Sequence, residues 1–262
     1  MERPKEEGMT HLSNSQINLY TQCSLKYKFQ YVDGFPKPFK PSGLAFGSAV
    51  HSTLSWLNKE RMNGNSVSLE RLYRIFDADW YSQKVENEIR YKEGEEEMKL
   101  TVLGKELLGL YLEEPYKKIK GTEIPFAVPI VNPHSGQRLP IDLEGIIDLI
   151  EEDGTITEFK TSAQMMDPKD VETYLQLTIY SYAFETLAHK PPKLLRVVNF
   201  VKTKKPKMIV LRTKREKADY ERLFFLAGRV FQGIRSQVFF PRTGFWCKDC
   251  EYGDLCRSWG GN

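Results

Sequence analysis

Four cysteines constrain this chain more than any other feature. Cys23 stands alone near the start, while Cys247, Cys250 and Cys256 form C-x2-C-x5-C near the end. The opening residues, Met1-Glu2-Arg3-Pro4-Lys5-Glu6-Glu7, are charged and lack the apolar core of a signal peptide, so a cytoplasmic setting is expected. Thiols stay reduced there, and clustered cysteines then point to metal ligation rather than to disulfides. If all four hold one centre, the two ends of the chain must meet. Thiolate chemistry alone leaves both zinc and an iron–sulfur cluster open.

The 262 residues suffice for one sizeable core. With 40% hydrophobic and 28% charged residues, the chain has an ordinary globular composition rather than a disordered one. No apolar run approaches the roughly 18–20 residues of a membrane span, so no membrane partner is expected. The formal net charge of +3 is compatible with a nucleic-acid partner and too small to demonstrate one.

Residues before Leu12 read as a polar arm. Ser13 followed three residues later by Gln16 is a capping-box signature and opens a helix toward Tyr31. Pro36, Pro38, Pro41, Gly34 and Gly43 mark a loop. Helices are expected over residues 45–61, where Val50, Leu54 and Leu57 recur at helical spacing, and over 69–89 and 100–118. The acidic run 93–97 reads as a solvated connection. From Gly121 the pattern changes to strands over 124–131, 139–151 and 155–160. A helix opened by Pro168 runs to Leu187, a second hairpin covers 194–202 and 207–212, and a last helix spans 214–238. This order predicts an α/β fold with a mixed central sheet inside a helical shell, in one domain.

The informative chemistry lies in Gly145-Ile146-Ile147-Asp148 and Glu158-Phe159-Lys160. Side chains alternate along a strand, so Glu158 and Lys160 share a face while Phe159 points into the core. Asp148 and Glu158 are nearly equidistant from the Asp153-Gly154 turn, which sets the two carboxylates opposite each other in a hairpin. A hard divalent cation relieves such a pair, although a surface hairpin with a salt bridge has the same local pattern.

Gly145-x-x-Asp148 with Glu158-x-Lys160 resembles the PD-(D/E)XK nuclease superfamily. Gln176 and Tyr180 form a Q-x3-Y motif similar to that of its RecB-like branch, and Gly47-Ser48-Ala49-Val50-His51 resembles that branch's histidine motif. The cysteine pattern resembles the iron–sulfur members, which include AddB-type nuclease domains and CRISPR-adaptation nucleases. One departure is Ile147, which stands where the superfamily's name-giving proline would be.

The resemblance implies a restriction-endonuclease-like fold, with the N-terminal helical region and the cysteine-rich tail joined at a metal cluster. One nuclease domain is implied over 1–262, divided into a helical region (12–120), a nuclease core (121–238) and a tail (239–262) that pairs with Cys23. It also implies that His51, Asp148, Glu158 and the backbone carbonyl of Phe159 ligate Mg2+ or Mn2+. Lys160 would hold or deprotonate the attacking water, and Gln176 and Tyr180, on one helix face, would contact the DNA backbone or brace the lysine. Cys23, Cys247, Cys250 and Cys256 would hold a 4Fe-4S cluster, with zinc as the alternative.

The substrate implied is DNA, single-stranded or at ends, cut exonucleolytically, with a helicase or recombination protein as partner because the chain has no helicase motif. The alternative is a catalytically silent iron–sulfur DNA-binding or scaffold subunit. The intact histidine, aspartate, glutamate and lysine argue against it, since a silent site is free to lose them. Lys202, Lys204, Lys205 and Lys207, with Arg212, Lys214, Arg215 and Lys217, form the most basic stretch and a candidate phosphate contact. Tyr20, Tyr27, Phe29 and Tyr31 offer base-stacking surfaces unless they are core.

Overall fold

The computed structural model describes residues 9–260, so most of the expected polar arm lies outside the described residues. A short strand, β1 (His11–Leu12), leads into α1 (Asn14–Gln22), whose N-terminus carries the expected reciprocal capping box between Ser13 and Gln16. The expected single helix to Tyr31 is interrupted. Cys23 is extended (φ −161°, ψ 101°), and the chain resumes as α2 (Ser24–Tyr27) and a π-helical turn (Lys28–Val32). The break has a cause in the tail of the chain. Leu25 N–H donates to the Phe240 carbonyl at 3.1 Å, and the Ser24 hydroxyl exchanges hydrogen bonds with the Phe240 backbone.

After β2 (Lys40–Pro41) come α3 (Ser42–Met62) and α4 (Leu69–Glu86), then β3 (Ile89–Arg90), which pairs with β2, and α5 (Glu97–Glu113). The central sheet contains β4 (Ile119–Val131), β5 (Arg138–Glu151), β6 (Thr155–Ser162), β7 (Leu194–Val201) and β8 (Lys207–Thr213). Its order is β1-β5-β6-β7-β8, with β4 also hydrogen-bonded to β5. The sheet is mixed, because β1/β5 and β6/β7 are parallel and the other pairs antiparallel. The parallel pair β6/β7 needs a crossover, supplied by α6 (Pro168–Glu172) and α7 (Leu175–Ala188). The chain closes with α8 (Lys217–Arg235), a 3-10 turn (Phe245–Cys247) and α9 (Gly253–Ser258).

Strand alternation gives the sheet two apolar faces. Leu149, Phe159, Val198 and Phe200 pack with α3, α4 and α5 in one core. Ile150, Ile156, Leu195 and Val197 pack with α7 and α8 in the other. A sheet buried on both faces between helical layers is the expected mixed α/β architecture.

The helix expected over 168–187 is split at Thr173–Tyr174, and Arg215 holds the break. Its guanidinium donates to the carbonyls of Val171 (2.8 Å) and Tyr174 (3.1 Å) and to the Thr178 hydroxyl (2.7 Å). Arg215 is only 8% exposed. It therefore leaves the basic stretch proposed for phosphate binding, because five donors in a fixed fork suit a buried bracket around backbone carbonyls. Lys202 is also half-buried, lying 5.1 Å over the Phe46 ring, while Lys204, Lys205, Lys207, Arg212, Lys214 and Lys217 stay exposed. Among the four N-terminal aromatics, Tyr27 and Phe29 are core and only Tyr31 is exposed.

Candidate functional site

The hairpin β5–β6 pairs Leu149 with Thr157 and Ile150 with Ile156, which sets Asp148 across from Glu158. Both carboxylates are 7% exposed. Asp148 is held on both oxygens. Phe159 N–H donates to Oδ2 at 2.8 Å and the Tyr180 hydroxyl donates to Oδ1 at 3.0 Å. Glu158 receives a longer bond, 3.4 Å, from the Tyr174 hydroxyl. The split between α6 and α7 lets Tyr174 start α7 beside Tyr180, so both phenols reach the carboxylate pair. Burial first, and the neighbouring Asp148 charge second, push the Glu158 carboxyl well above the usual range, against the pull of Lys160. Lys160, on the same strand face, is half-buried with its ammonium 5.9 Å from the Tyr174 ring centre. The Phe159 side chain is core, as strand alternation requires.

Two glycines let these elements approach. A Cβ at Gly145 would lie 2.6 Å from the Phe126 ring on β4, so only glycine fits three residues before Asp148. A Cβ at Gly47 would lie 3.3 Å from the Thr161 hydroxyl on β6, and that close contact brings α3 down onto the sheet. One turn later His51 sets its Nδ1 3.7 Å from Asp148 Oδ2, with its ring edge-on to Phe159. Gln176 is half-buried at the start of α7, and its side chain makes no hydrogen bond among the described residues. Its amide is spare, so it does not brace Lys160 by a hydrogen bond.

Glu123 joins this group without having stood out in the sequence. It lies on β4 between Thr122 and Ile124, which pair with Leu149 and Ile147, and so faces Asp148 from the strand opposite Glu158. The Thr122 hydroxyl donates to the Asp148 carbonyl at 2.9 Å across the same pair. Glu123 has φ +52°, a left-handed conformation uncommon for a residue with a side chain and costly unless the surroundings impose it. Ligand atoms of His51, Glu123 and Asp148 all lie within 4.8 Å of one another. Burial and the Asp148 charge push the Glu123 carboxyl up to about 7, with Lys59 acting in the opposite direction. Two carboxylate oxygens and an imidazole at this spacing, with Glu158 adjoining, are a donor set that fits a hard divalent cation. No signal for this role exists in Gly121-Thr122-Glu123 taken alone.

The cysteines also gather. Cys23, Cys250 and Cys256 pack against the cluster of Leu25, Phe29 and Tyr252, and Cys247 is exposed. Burial pushes the Cys256 thiol up, and Cys23, Cys250 and Cys247 act on it in the same direction. Direct hydrogen bonds and an ion pair also tie the two chain regions. The Tyr252 hydroxyl donates to the Phe35 carbonyl, Arg242 to the Thr21 carbonyl, and Lys26 pairs with Glu251. Four soft sulfur donors in one neighbourhood suit zinc or an iron–sulfur centre.

The family model described as PD-(D/E)XK nuclease superfamily matches residues 11–257. The chain belongs to the PD-(D/E)XK nuclease superfamily. Among solved structures, a protein from Eubacterium rectale described as a "Putative exonuclease" has a similar fold, with TM-score 0.59 at 11% identity, over 98% of this chain and 93% of that one. The structure of SSO0001 superposes at TM-score 0.39 with 15% identity, over 89% of this chain and 94% of that one, too loosely to carry an argument. No curated protein matches the sequence. Family membership makes this a nuclease fold, and the carboxylate–histidine group lies where its β-hairpin and α3 converge. No helix among the described residues is long and apolar enough to cross a membrane.

Proposed function

We propose that this chain is a Mg2+- or Mn2+-dependent deoxyribonuclease of the RecB-like branch, acting on single-stranded DNA or DNA ends and carrying a 4Fe-4S cluster. The observation that carries the nuclease reading is the convergence of His51, Glu123 and Asp148 within 4.8 Å, beside the Glu158–Lys160 strand. His51, Asp148 and Glu158, joined by Glu123 and the Phe159 carbonyl, are the residues that would hold the ion. A bound divalent ion supplies charge to polarise the scissile phosphate and to acidify water.

The remaining work belongs to the chain. Lys160 orients or deprotonates the attacking water, and its ammonium offsets the charge that builds on the pentacovalent phosphate. Tyr180 and the Phe159 N–H fix the rotamer of Asp148, so its position needs no reorganisation during the reaction. Gln176, with its amide spare, donates to a backbone phosphate of the substrate strand. Exonucleolytic action draws its support from the description of the E. rectale protein. The iron–sulfur reading draws its support from the soft donor set, one member of which comes from the opposite end of the chain, unlike the paired short hairpins of a zinc knuckle.

End-labelled single-stranded and duplex DNA, incubated with Mg2+, Mn2+ or chelator, tests the activity. The expected result is shortening from an end that requires the ion and is faster on single strands. Intact DNA under every ion condition would refute the proposal.

The titration of Glu123 adds a second expected result. Its carboxyl is raised to about 7 in the fold. Stability that depends on its protonation is therefore present at acid pH and is lost as pH rises from the ordinary carboxylate range through about 7. A cation that binds the ionised group reverses this loss. Mn2+ should raise the melting temperature more at about pH 8 than at about pH 5.5, as differential scanning fluorimetry can read. Equal shifts at both would remove Glu123 from the binding set.

A further inference from the structure

A groove at the site runs from the carboxylates along α3. Its walls are His51, Ser52, Ser55, Trp56 and Lys59 on the helix and Glu123 on β4, enclosing about 390 Å³. That volume is at the lower end of small-ligand pockets and suits a single nucleotide unit rather than a duplex. The helix spacing orders these side chains. His51, Ser55 and Lys59 stand on successive turns of one row, and Ser52 and Trp56 form the row beside it. Lys59 therefore lies about 12 Å along the axis from His51. An exposed cation at that remove, facing a cluster of carboxylates that would hold a metal ion, suits a phosphate of the same strand one step beyond the reacting one.

Trp56 supplies the second element. It is half-buried in the groove wall, and the Arg71 guanidinium of α4 lies 5.1 Å from its ring centre. Arg71 is itself held by Glu60 at 3.4 Å, so the indole is braced rather than loose. A braced indole beside a lysine and two hydroxyls is the combination that binds unpaired bases, because every base offers a flat face and every nucleotide a phosphate.

We infer that this groove is a subsite for single-stranded DNA, in which Trp56 stacks on a base next to the scissile phosphate and Lys59 contacts the following phosphate. The inference rests on the nuclease reading and adds to it the residues that would hold the strand at the same site. Stacking on Trp56 needs an unpaired base, so in this reading a duplex must be opened before its strand can enter.

The test compares two phosphodiesters in Mn2+, an oligodeoxythymidylate and bis(4-nitrophenyl) phosphate, which lacks both base and sugar. Trp56→Ala should lower the ratio of kcat/KM for the oligonucleotide to that for the small ester by about tenfold, mainly through KM. Trp56→Phe should restore most of that ratio. Lys59→Ala, at an exposed position that leaves the core intact, should lower the same ratio and reduce the salt dependence of oligonucleotide KM by about one charge. An unchanged ratio and salt slope in Trp56→Ala and Lys59→Ala, with both esters hydrolysed, would overturn the subsite and leave the nuclease reading standing. Failure of the unaltered protein to hydrolyse either ester would overturn both.

Discussion

Asp148→Asn should reduce cleavage by roughly a thousandfold or more, since it removes a ligand charge at the centre of the group on which transition-state stabilisation depends. The substitution keeps the side-chain shape between the Phe159 N–H and the Tyr180 hydroxyl, so the fold should persist. It also takes one negative charge away from the buried Glu158 and from Glu123, whose carboxyls are both raised partly by Asp148. The metal-free variant should therefore melt no lower than the unaltered protein, and Mn2+ should stabilise it less. Lys160→Ala is the complementary change. It should lose cleavage to a similar extent while keeping the Mn2+-induced rise in melting temperature, because the ammonium acts on the phosphate and water rather than on the ion. Single-turnover cleavage and scanning fluorimetry on the same preparations separate the two effects. Full activity in either variant would remove that residue from the site.

The second large effect should come from the cysteines. Protein purified without oxygen should be brown, with iron and sulfide in equal amounts. Cys23→Ser should release the proposed cluster and lower the melting temperature by on the order of 10 °C, because the ligand bond it would remove closes a loop running nearly the length of the chain. The collapse should stop short of full unfolding. The Tyr252–Phe35, Arg242–Thr21 and Leu25–Phe240 hydrogen bonds still hold the tail against the first helices. Cleavage should survive in part at low temperature, since the carboxylates stand on β4, β5 and β6. Zinc in the anaerobic protein would change the identity of the centre. A Cys23→Ser variant that keeps its metal and melts like the unaltered protein would take Cys23 out of it.

Much of the site was legible because its central part is local. A short hairpin fixes its own register, so placing Asp153-Gly154 at the turn is enough to put Asp148 against Glu158, and strand alternation then sends Lys160 to the same face and Phe159 to the core. The Ser13–Gln16 capping box is equally local, complete within one helical turn. Residues further away needed the family resemblance. Nothing in the periodicity of α3 or α7 tells His51 or Tyr180 apart from ordinary helix residues, because their significance lies in what they face across the sheet.

Glu123 marks where local reasoning ends. The pairing of β4 with β5 shifts between Pro129 and Val131. Counting outward from the Asn132–Gly136 turn without that shift sets Gly121, not Glu123, opposite Asp148. A bulge is a compromise between strand twist and the packing of both sheet faces, and only the assembled sheet decides it. The same holds for the helix breaks at Cys23 and at Thr173. Each is made by a partner distant in sequence, the Phe240 carbonyl in one case and the Arg215 guanidinium in the other. By itself, then, the sequence determined the contacts that one turn or one hairpin can close. The fold decided those that require two distant backbones to exchange hydrogen bonds, because such bonds replace local ones only after the core has brought the segments together.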